Sequence, residues 1–438
     1  MAFRRAMGGA LSAMALTSAL ILMAAPAASA DQTRNDQWAL KALQAESAWK
    51  VSTGKGVTVA VIDTGVNFDH IDLKNNLLKG YDFRDNDDDP SPVSGVGASS
   101  HGTAIAAMIA GHGHGQGGRD GVKGLAPDAK ILPIRSSTAG YAETIRYAVD
   151  HGASVINISE FQTQELPEDR EAVTYALEHN VLIVSGSGND GNTNIWYPAK
   201  YPGVLTVGGV DRSGKIWEKS NYGPEVLLTA PAEDIVSASW PGSDKLGIGT
   251  GTSDATAYVS AAAALLREKF PDLTAGQIAN RLVKTAVVPP AAKGISLPDQ
   301  KYGYGIINPL AALTKDIPAG SKYGPLKVSG TDSSSSSAAK SETGAAENEK
   351  SDQKQMIFFV VIGVVALVVV SLIVLVIVKL SRRNKNNNGG PGGPAPYQQY
   401  GQQPFPPQQN PYQQSAQPQQ NPYQQQPTPP HSQWPPQE

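Results

Sequence analysis

The sequence predicts an α/β fold, a doubly wound and mainly parallel sheet flanked by helices, followed by one membrane-crossing helix and a tail with no core. Three observations carry this. Between residues 57 and 286, short apolar runs rich in β-branched side chains alternate with helical patterns, as in sheets covered on both faces. Residues 356–378, opened by Met356 and closed by Val378, form a 23-residue run without a charge. Residues 379–438 are almost free of aliphatic side chains.

The strand-like runs are 57–62, 130–134, 154–158, 181–184 and 204–207. Each is too short for a helix and nearly continuous in apolar residues, which suits a buried parallel strand. Helical patterns fall at 102–110, about 140–150, 168–179, 254–269 and 274–286. The third opens at Pro167 with Glu168, Asp169 and Glu171 in its first turns, where acids favour the helix dipole. In such a sheet, sites lie at the carboxyl ends of the strands.

Outside this block the chain is unlike a globular protein. Over 438 residues it is 40% hydrophobic and 17% charged, and only 31–320 is long enough to bury a large core. Residues 1–30 carry Arg4 and Arg5, an apolar stretch and Ala28-Ser29-Ala30, the pattern of a cleaved secretory signal. Residues 321–355, with Ser333 to Ser337 in a row and five basic against five acidic side chains, read as a solvated tether. A helix over 356–378 would be about 34 Å long, enough for a bilayer core of about 30 Å. Lys379, Arg382, Arg383 and Lys385 follow it and place the tail in the cytoplasm. The expected arrangement is a single-pass protein of the cell membrane, with 31–355 extracytoplasmic. Pro-Tyr-Gln-Gln recurs at Pro396, Pro411 and Pro422. Over 386–438 two readings stand, a docking tail for a cytoplasmic partner and an inert low-complexity extension.

Composition excludes several classes of function. A net charge of −3 shows no basic excess for nucleic acid. Zero cysteines exclude a disulfide framework, thiolate zinc sites and a cysteine nucleophile.

Four residues suggest chemistry. Asp63 ends the first strand in Val59-Ala-Val-Ile-Asp63-Thr-Gly65, and His101 opens a helix in Ser99-Ser-His101-Gly-Thr-Ala104. Ser253 starts another in Gly249-Thr-Gly251-Thr252-Ser253-Asp-Ala-Thr256, and Asn189 lies in Gly186-Ser-Gly188-Asn189-Asp-Gly191. A serine hydroxyl becomes nucleophilic when an imidazole takes its proton, and a carboxylate holds that imidazole's tautomer. An amide near the serine N–H can stabilise an oxyanion by about 3–4 kcal/mol. Singly these motifs are weak; in the order Asp, His, Ser, with the Asn in a glycine-rich loop between the last two, they are specific.

On these residues the chain resembles the subtilisin-like S8 serine proteases over about residues 35–315. The likeness extends to Trp49 through Gly56, Tyr197 through Pro202, Leu228 through Pro231 and Tyr302 through Gly305. With its signal, span and tail it is most similar to the mycosins, membrane-anchored subtilases associated with type VII secretion. The resemblance implies a serine endopeptidase with Asp63, His101 and Ser253 as triad, Asn189 as oxyanion donor, and a peptide or protein as substrate. It also implies a type VII secretion machinery as partner. Only 32 residues separate Asp31 from Ile62, so maturation is expected not to need removal of a large inhibitory prodomain.

Departures from the family pattern bear on activity. Asp254 stands where Met is usual, and Ala257 where Pro is usual. A carboxylate about 7 Å from the oxyanion opposes it by about 2 kcal/mol, some thirtyfold in rate; at a helix N-terminus the same charge favours the dipole. Ser159-Glu160-Phe161 replaces the family's Ser-Leu-Gly edge segment. Together with Gly188 these form the expected substrate-binding set. Phe161 is expected to narrow the first specificity pocket, and Glu160 to put charge where apolar side chains are usual. These departures leave an alternative function, a weakly active or inactive fold serving as a structural subunit of a secretion complex.

No cofactor or catalytic metal is expected. His112 and His114 sit among glycines and read as a flexible loop, without the further ligands a metal needs. Asp85-Asn-Asp87-Asp-Asp89 begins like a calcium loop but has Pro90 and Val96 where glycine and glutamate are required, leaving a surface calcium site as the only cofactor the pattern allows. His70, His151 and His179 fit turns or helix ends.

Overall fold

The alternation of runs becomes a wound sheet. The computed structural model describes residues 33–93, 99–137 and 139–328. In chain order these form α1 (Trp38–Ala42), α2 (Ala45–Ala48), β1 (Thr58–Asp63), β2 (Tyr81–Asp82), α3 (His101–Ala110) and the hairpin β3 (His112–His114) and β4 (Asp120–Lys123). Then come β5 (Lys130–Arg135), α4 (Ala142–Asp150), β6 (Val155–Ile158), α5 (Pro167–Glu178), β7 (Leu182–Gly186), β8 (Leu205–Val210) and β9 (Val226–Pro231). The hairpin β10 (Ile235–Ala238) and β11 (Leu246–Gly249), and helices α6 (Thr252–Lys269), α7 (Ala275–Thr285) and α8 (Pro309–Thr314), complete the order. The main sheet runs β2-β5-β1-β6-β7-β8-β9, and every pair in it is parallel. All its carboxyl ends therefore share one rim.

Period-two packing explains the continuous apolar runs. Along β1, Val59 and Val61 face one core with Ile105, Met108 and Tyr258. Ala60 and Ile62 face the other with Ile145, Ala172 and Val173. Helix α6 is buried from Thr252 to Arg267, and its alanines let it lie close against the sheet, as helices apolar all round do. Its N-terminus, carrying Ser253, is thereby fixed at the rim.

The five predicted strands and five helices are all present within a few residues of their expected bounds. Strands β2 and β9, both hairpins and helices α1, α2 and α8 are not among the predicted elements. The folded part also runs beyond 320, the expected boundary. Leu326 is buried in the main core, and the Thr274 hydroxyl donates to the Lys322 carbonyl, so 321–328 belongs to the domain rather than the tether. Residues 1–30, 356–378 and 379–438 lie outside the described residues. Among the described residues no helix is long and apolar enough to cross a membrane.

His112 and His114 lie in a paired hairpin, not in a flexible loop. Asp72, almost fully buried, accepts from His114 Nδ1 at 2.7 Å and from Val122 N–H at 2.8 Å, a tie from a distant loop that no local pattern shows. In the acidic run, Asp85 accepts from Arg135 at 2.6 Å and Lys79 pairs with Asp88 at 2.6 Å. Arg135 also pairs with buried Asp82. Among the described residues no three His, Asp or Glu side chains converge as a metal site.

One surface contact fastens the entry to β1. Glu268 Oε2 accepts from the Ser52 hydroxyl at 2.6 Å and from the N–H groups of Thr53, Gly54 and Lys55 at 2.8, 2.6 and 3.1 Å. Burial pushes this carboxyl up, but the four donors outweigh it and hold its pKa below the ordinary 4.5. Its contribution is therefore complete above the unfolded value and is lost as pH falls through the lower folded one. Glu268→Gln is expected to cost about 1–2 kcal/mol in urea unfolding at pH 7 and progressively less in acid. A loss that is the same at pH 3 and pH 7 is the contrary result.

Candidate active site

Asp63 ends β1 fully buried, and its carboxylate is built into a network. Oδ1 accepts from the Thr64 N–H at 2.8 Å and hydroxyl at 3.2 Å. His101 Nδ1 lies 2.7 Å from Oδ1 and 2.9 Å from Oδ2. An ionised carboxylate only accepts, so Nδ1 carries the proton and Nε2 is left as a base. The glycine after His101 has a steric reason. A Cβ at Gly102 would stand 2.3 Å from the Gly65 carbonyl oxygen and 3.1 Å from Asp63 Cβ, so any side chain there would push α3 off the carboxylate. Burial works against the imidazolium, but Asp63 outweighs it, with smaller contributions from Asp254 and Glu160, and His101 is raised from 6.5 to about 9.

Ser253 occupies the first turn of α6, where backbone N–H groups have no partner within the helix. Its hydroxyl donates to the Ser159 carbonyl at 3.1 Å, and the Ser159 hydroxyl donates to the Ser253 carbonyl at 3.3 Å. Among the described residues no hydrogen bond links Ser253 Oγ to His101. Both side chains line one cavity of about 550 Å³, together with Ser159, Glu160, Phe161, Gly188 and Asn189.

The Asn189 amide is oriented by its neighbours. Its Oδ1 accepts from both the N–H and the hydroxyl of Thr252 at 2.9 Å. The Thr252 N–H can only donate, so the atom facing it is the amide oxygen; the Thr252 hydroxyl also accepts from Gly188 N–H at 3.2 Å. The Asn189 NH₂ is thereby the end left for a ligand, beside the Ser253 N–H. Asn221 holds this loop from beneath, accepting from the N–H groups of Asp190 and Asn192 at 2.8 and 3.2 Å and donating to the Asn194 carbonyl at 2.8 Å. Gly188 has φ +113°, and a Cβ there would meet Asn221 Nδ2 at 2.3 Å.

Asp254 is not the fixed charge that its sequence position implies. It is only 6% exposed, and burial pushes its pKa up to about 7 against the opposing pull of His101. Buried acids neutralise rather than carry an uncompensated charge. Its repulsion of an oxyanion is therefore present above about pH 7 and absent well below it. Asp254→Asn is expected to raise the acylation rate by up to some thirtyfold at pH 9 and to change it little at pH 5.5, measured by stopped-time inhibition with a fluorophosphonate. An equal gain at both pH values is the contrary result.

The cavity wall that carries Ser136, Ser159, Glu160 and Gln162 is polar. Phe161 is 56% exposed and rests on Trp196 with ring centroids 4.6 Å apart, forming a wall of two aromatics. Burial first, then the negative charge of Asp63, raise the Glu160 carboxyl above its ordinary range, while the Ser136 hydroxyl bonded to it lowers it. Thr64, Thr252, Asn221, Ser136 and Trp196 were not singled out from the sequence. For Thr64 and Thr252 their place beside Asp63 and Ser253 was the available signal; the others come from distant loops.

This arrangement can generate a serine alkoxide equivalent, receive an acyl group and hold the resulting oxyanion. Fold and site together define a serine hydrolase built on a parallel α/β sheet. The chain belongs to the subtilase family, whose profile matches residues 54–305, and it is a serine endopeptidase of that family. Among relatives, it is 35% identical over 275 residues to the thermophilic serine proteinase of Bacillus sp. AK1, covering 61% of this chain and 64% of that one. It is 34% identical to Mycosin-1 of Mycolicibacterium smegmatis, covering 66% and 75%. Its fold is similar to the crystal structure of MycP1 from the ESX-1 type VII secretion system, with TM-score 0.57, 34% identity and coverage of 66% and 89%.

Proposed function

We propose that this protein is a membrane-anchored, extracytoplasmic endopeptidase that works beside a type VII secretion machinery. In this reading Ser253 attacks a peptide carbonyl, His101 takes and returns its proton, Asp63 holds the imidazole, and Asn189 with the Ser253 N–H receives the oxyanion. The observation that carries it is the buried Asp63 carboxylate bound to His101 Nδ1 at 2.7 Å in the cavity that Ser253 lines. The secretion assignment draws on the likeness to Mycosin-1 and to MycP1. Membrane anchoring and topology draw on the 356–378 run and its basic flank. Ser159, Glu160, Phe161 and Gly188 are proposed to contact substrate, and no cofactor is proposed for the chemistry.

A fluorophosphonate probe applied to the full chain tests the hydrolase part. Labelling is expected on the peptide that contains Ser253, and its absence overturns the assignment. Protease added to intact cells is expected to remove the 31–355 region and spare the tail; the reverse overturns the topology. A second reading, the structural subunit, is favoured by the Ser253 hydroxyl resting on Ser159. It gains if secretion survives Ser253→Ala but not deletion of the domain.

A further inference from the structure

The sheet leaves a gap at its catalytic rim. Strand β1 lies between β5 and β6, and its chain turns away after Asp63. The extensions of β5 at Ser136 and Ser137 and of β6 at Ser159 and Glu160 both continue to line the cavity. Two strands that flank a third are about 9–10 Å apart, so the gap has the width of one extended peptide. Its walls carry groups that the side chains of such a peptide would meet.

Glu160 is the acid on those walls. The Ser136 hydroxyl is bonded to it, and among the described residues no ion pair includes it. A carboxylate has about four acceptor sites, more than one hydroxyl fills, so Glu160 can also receive a cationic donor from a peptide in the cavity. Arg84 lines the same cavity and acts on Glu160 through its field without pairing. An apolar side chain would bury this carboxylate further. A cation would offset both its desolvation and the negative charge of Asp63.

We infer that this cleft selects a substrate with a lysine or arginine on the acyl side of the scissile bond, and that Glu160 is the residue that reads it. The inference deepens the peptidase reading and rests on it. Peptide binding to the full chain carrying Ser253→Ala tests it without catalysis. A set of eight-residue peptides places lysine, or its uncharged isostere norleucine, at each of the four positions before the cut in turn. At one position the lysine peptide is expected to bind about tenfold tighter than its norleucine twin, as a hydrogen bond to a charged group commonly gives. Adding Glu160→Gln is expected to abolish that ratio, and Glu160→Asp to keep part of it. A ratio near one at every position, or a ratio unchanged by Glu160→Gln, overturns the inference. Fluorophosphonate labelling of the unsubstituted chain reports separately on the hydrolase reading, so labelling without lysine preference removes only the selectivity.

Discussion

Ser253→Ala is expected to lower kcat for peptide hydrolysis by about a millionfold and to abolish fluorophosphonate labelling. The size follows from the way the three groups act. Without the hydroxyl, the Nε2 base that Asp63 creates on His101 has nothing to activate, and acyl transfer to the chain stops. What remains is water attack assisted by the Asn189 amide and the Ser253 N–H, which typically leaves about 10³ to 10⁴ over solution. For the same reason His101→Ala is expected to cost about as much alone as the double substitution, because each removes the function of the other. Steady-state hydrolysis of a peptide that the unsubstituted chain cleaves, with thermal unfolding to confirm the fold, measures both. Loss of less than tenfold in Ser253→Ala places the nucleophile elsewhere.

Asp63→Asn is expected to lower kcat by about 10⁴ with little change in KM. The carboxylate accepts the Nδ1 proton of His101 through both oxygens, at 2.7 and 2.9 Å. An asparagine offers one N–H and one oxygen at the same place. With its N–H toward the ring, Nδ1 becomes the acceptor and the proton moves to Nε2, so the base is on the wrong nitrogen. The substitution also removes the charge that outweighs burial and holds His101 near 9 rather than 6.5. The residual activity is therefore expected to reach its plateau at lower pH than in the parent, since His101 loses its proton earlier. A pH profile of kcat/KM reads this shift, which a merely structural effect of Asp63 on the loop would not move.

Much of the fold was legible because its signals are local. Continuous β-branched runs such as 57–62 occur where both faces of a strand are covered, and helical patterns between them leave few alternatives to a parallel sheet. The missed elements lack such signals. Strand β9 lacks one because Thr229, Ala230 and Pro231 do not read as an apolar run, although all three are buried in the sheet beside β8. The hairpin β3–β4 was hidden among glycines, since what orders it is Asp72, a carboxylate from another loop. The end of the domain was placed at 320 because 321–328 looks like linker, and only the packing of Leu326 shows otherwise.

By itself the sequence determined the residue types and order of the site and the sheet class, because these depend on chemical identity and short-range periodicity. Tertiary structure decided which protonation states and partners those residues have. Asp254 reads as a charge in one dimension and is near half-neutral at pH 7 once buried. Glu160 reads as an isolated substitution and becomes a carboxyl raised by burial and by the charge of Asp63. The Ser253 hydroxyl is seen resting on Ser159 only when β6 and α6 meet. Desolvation and hydrogen-bond geometry depend on what surrounds an atom, and those surroundings come from chain segments that can lie well over a hundred residues apart, as His101 and Asp254 do.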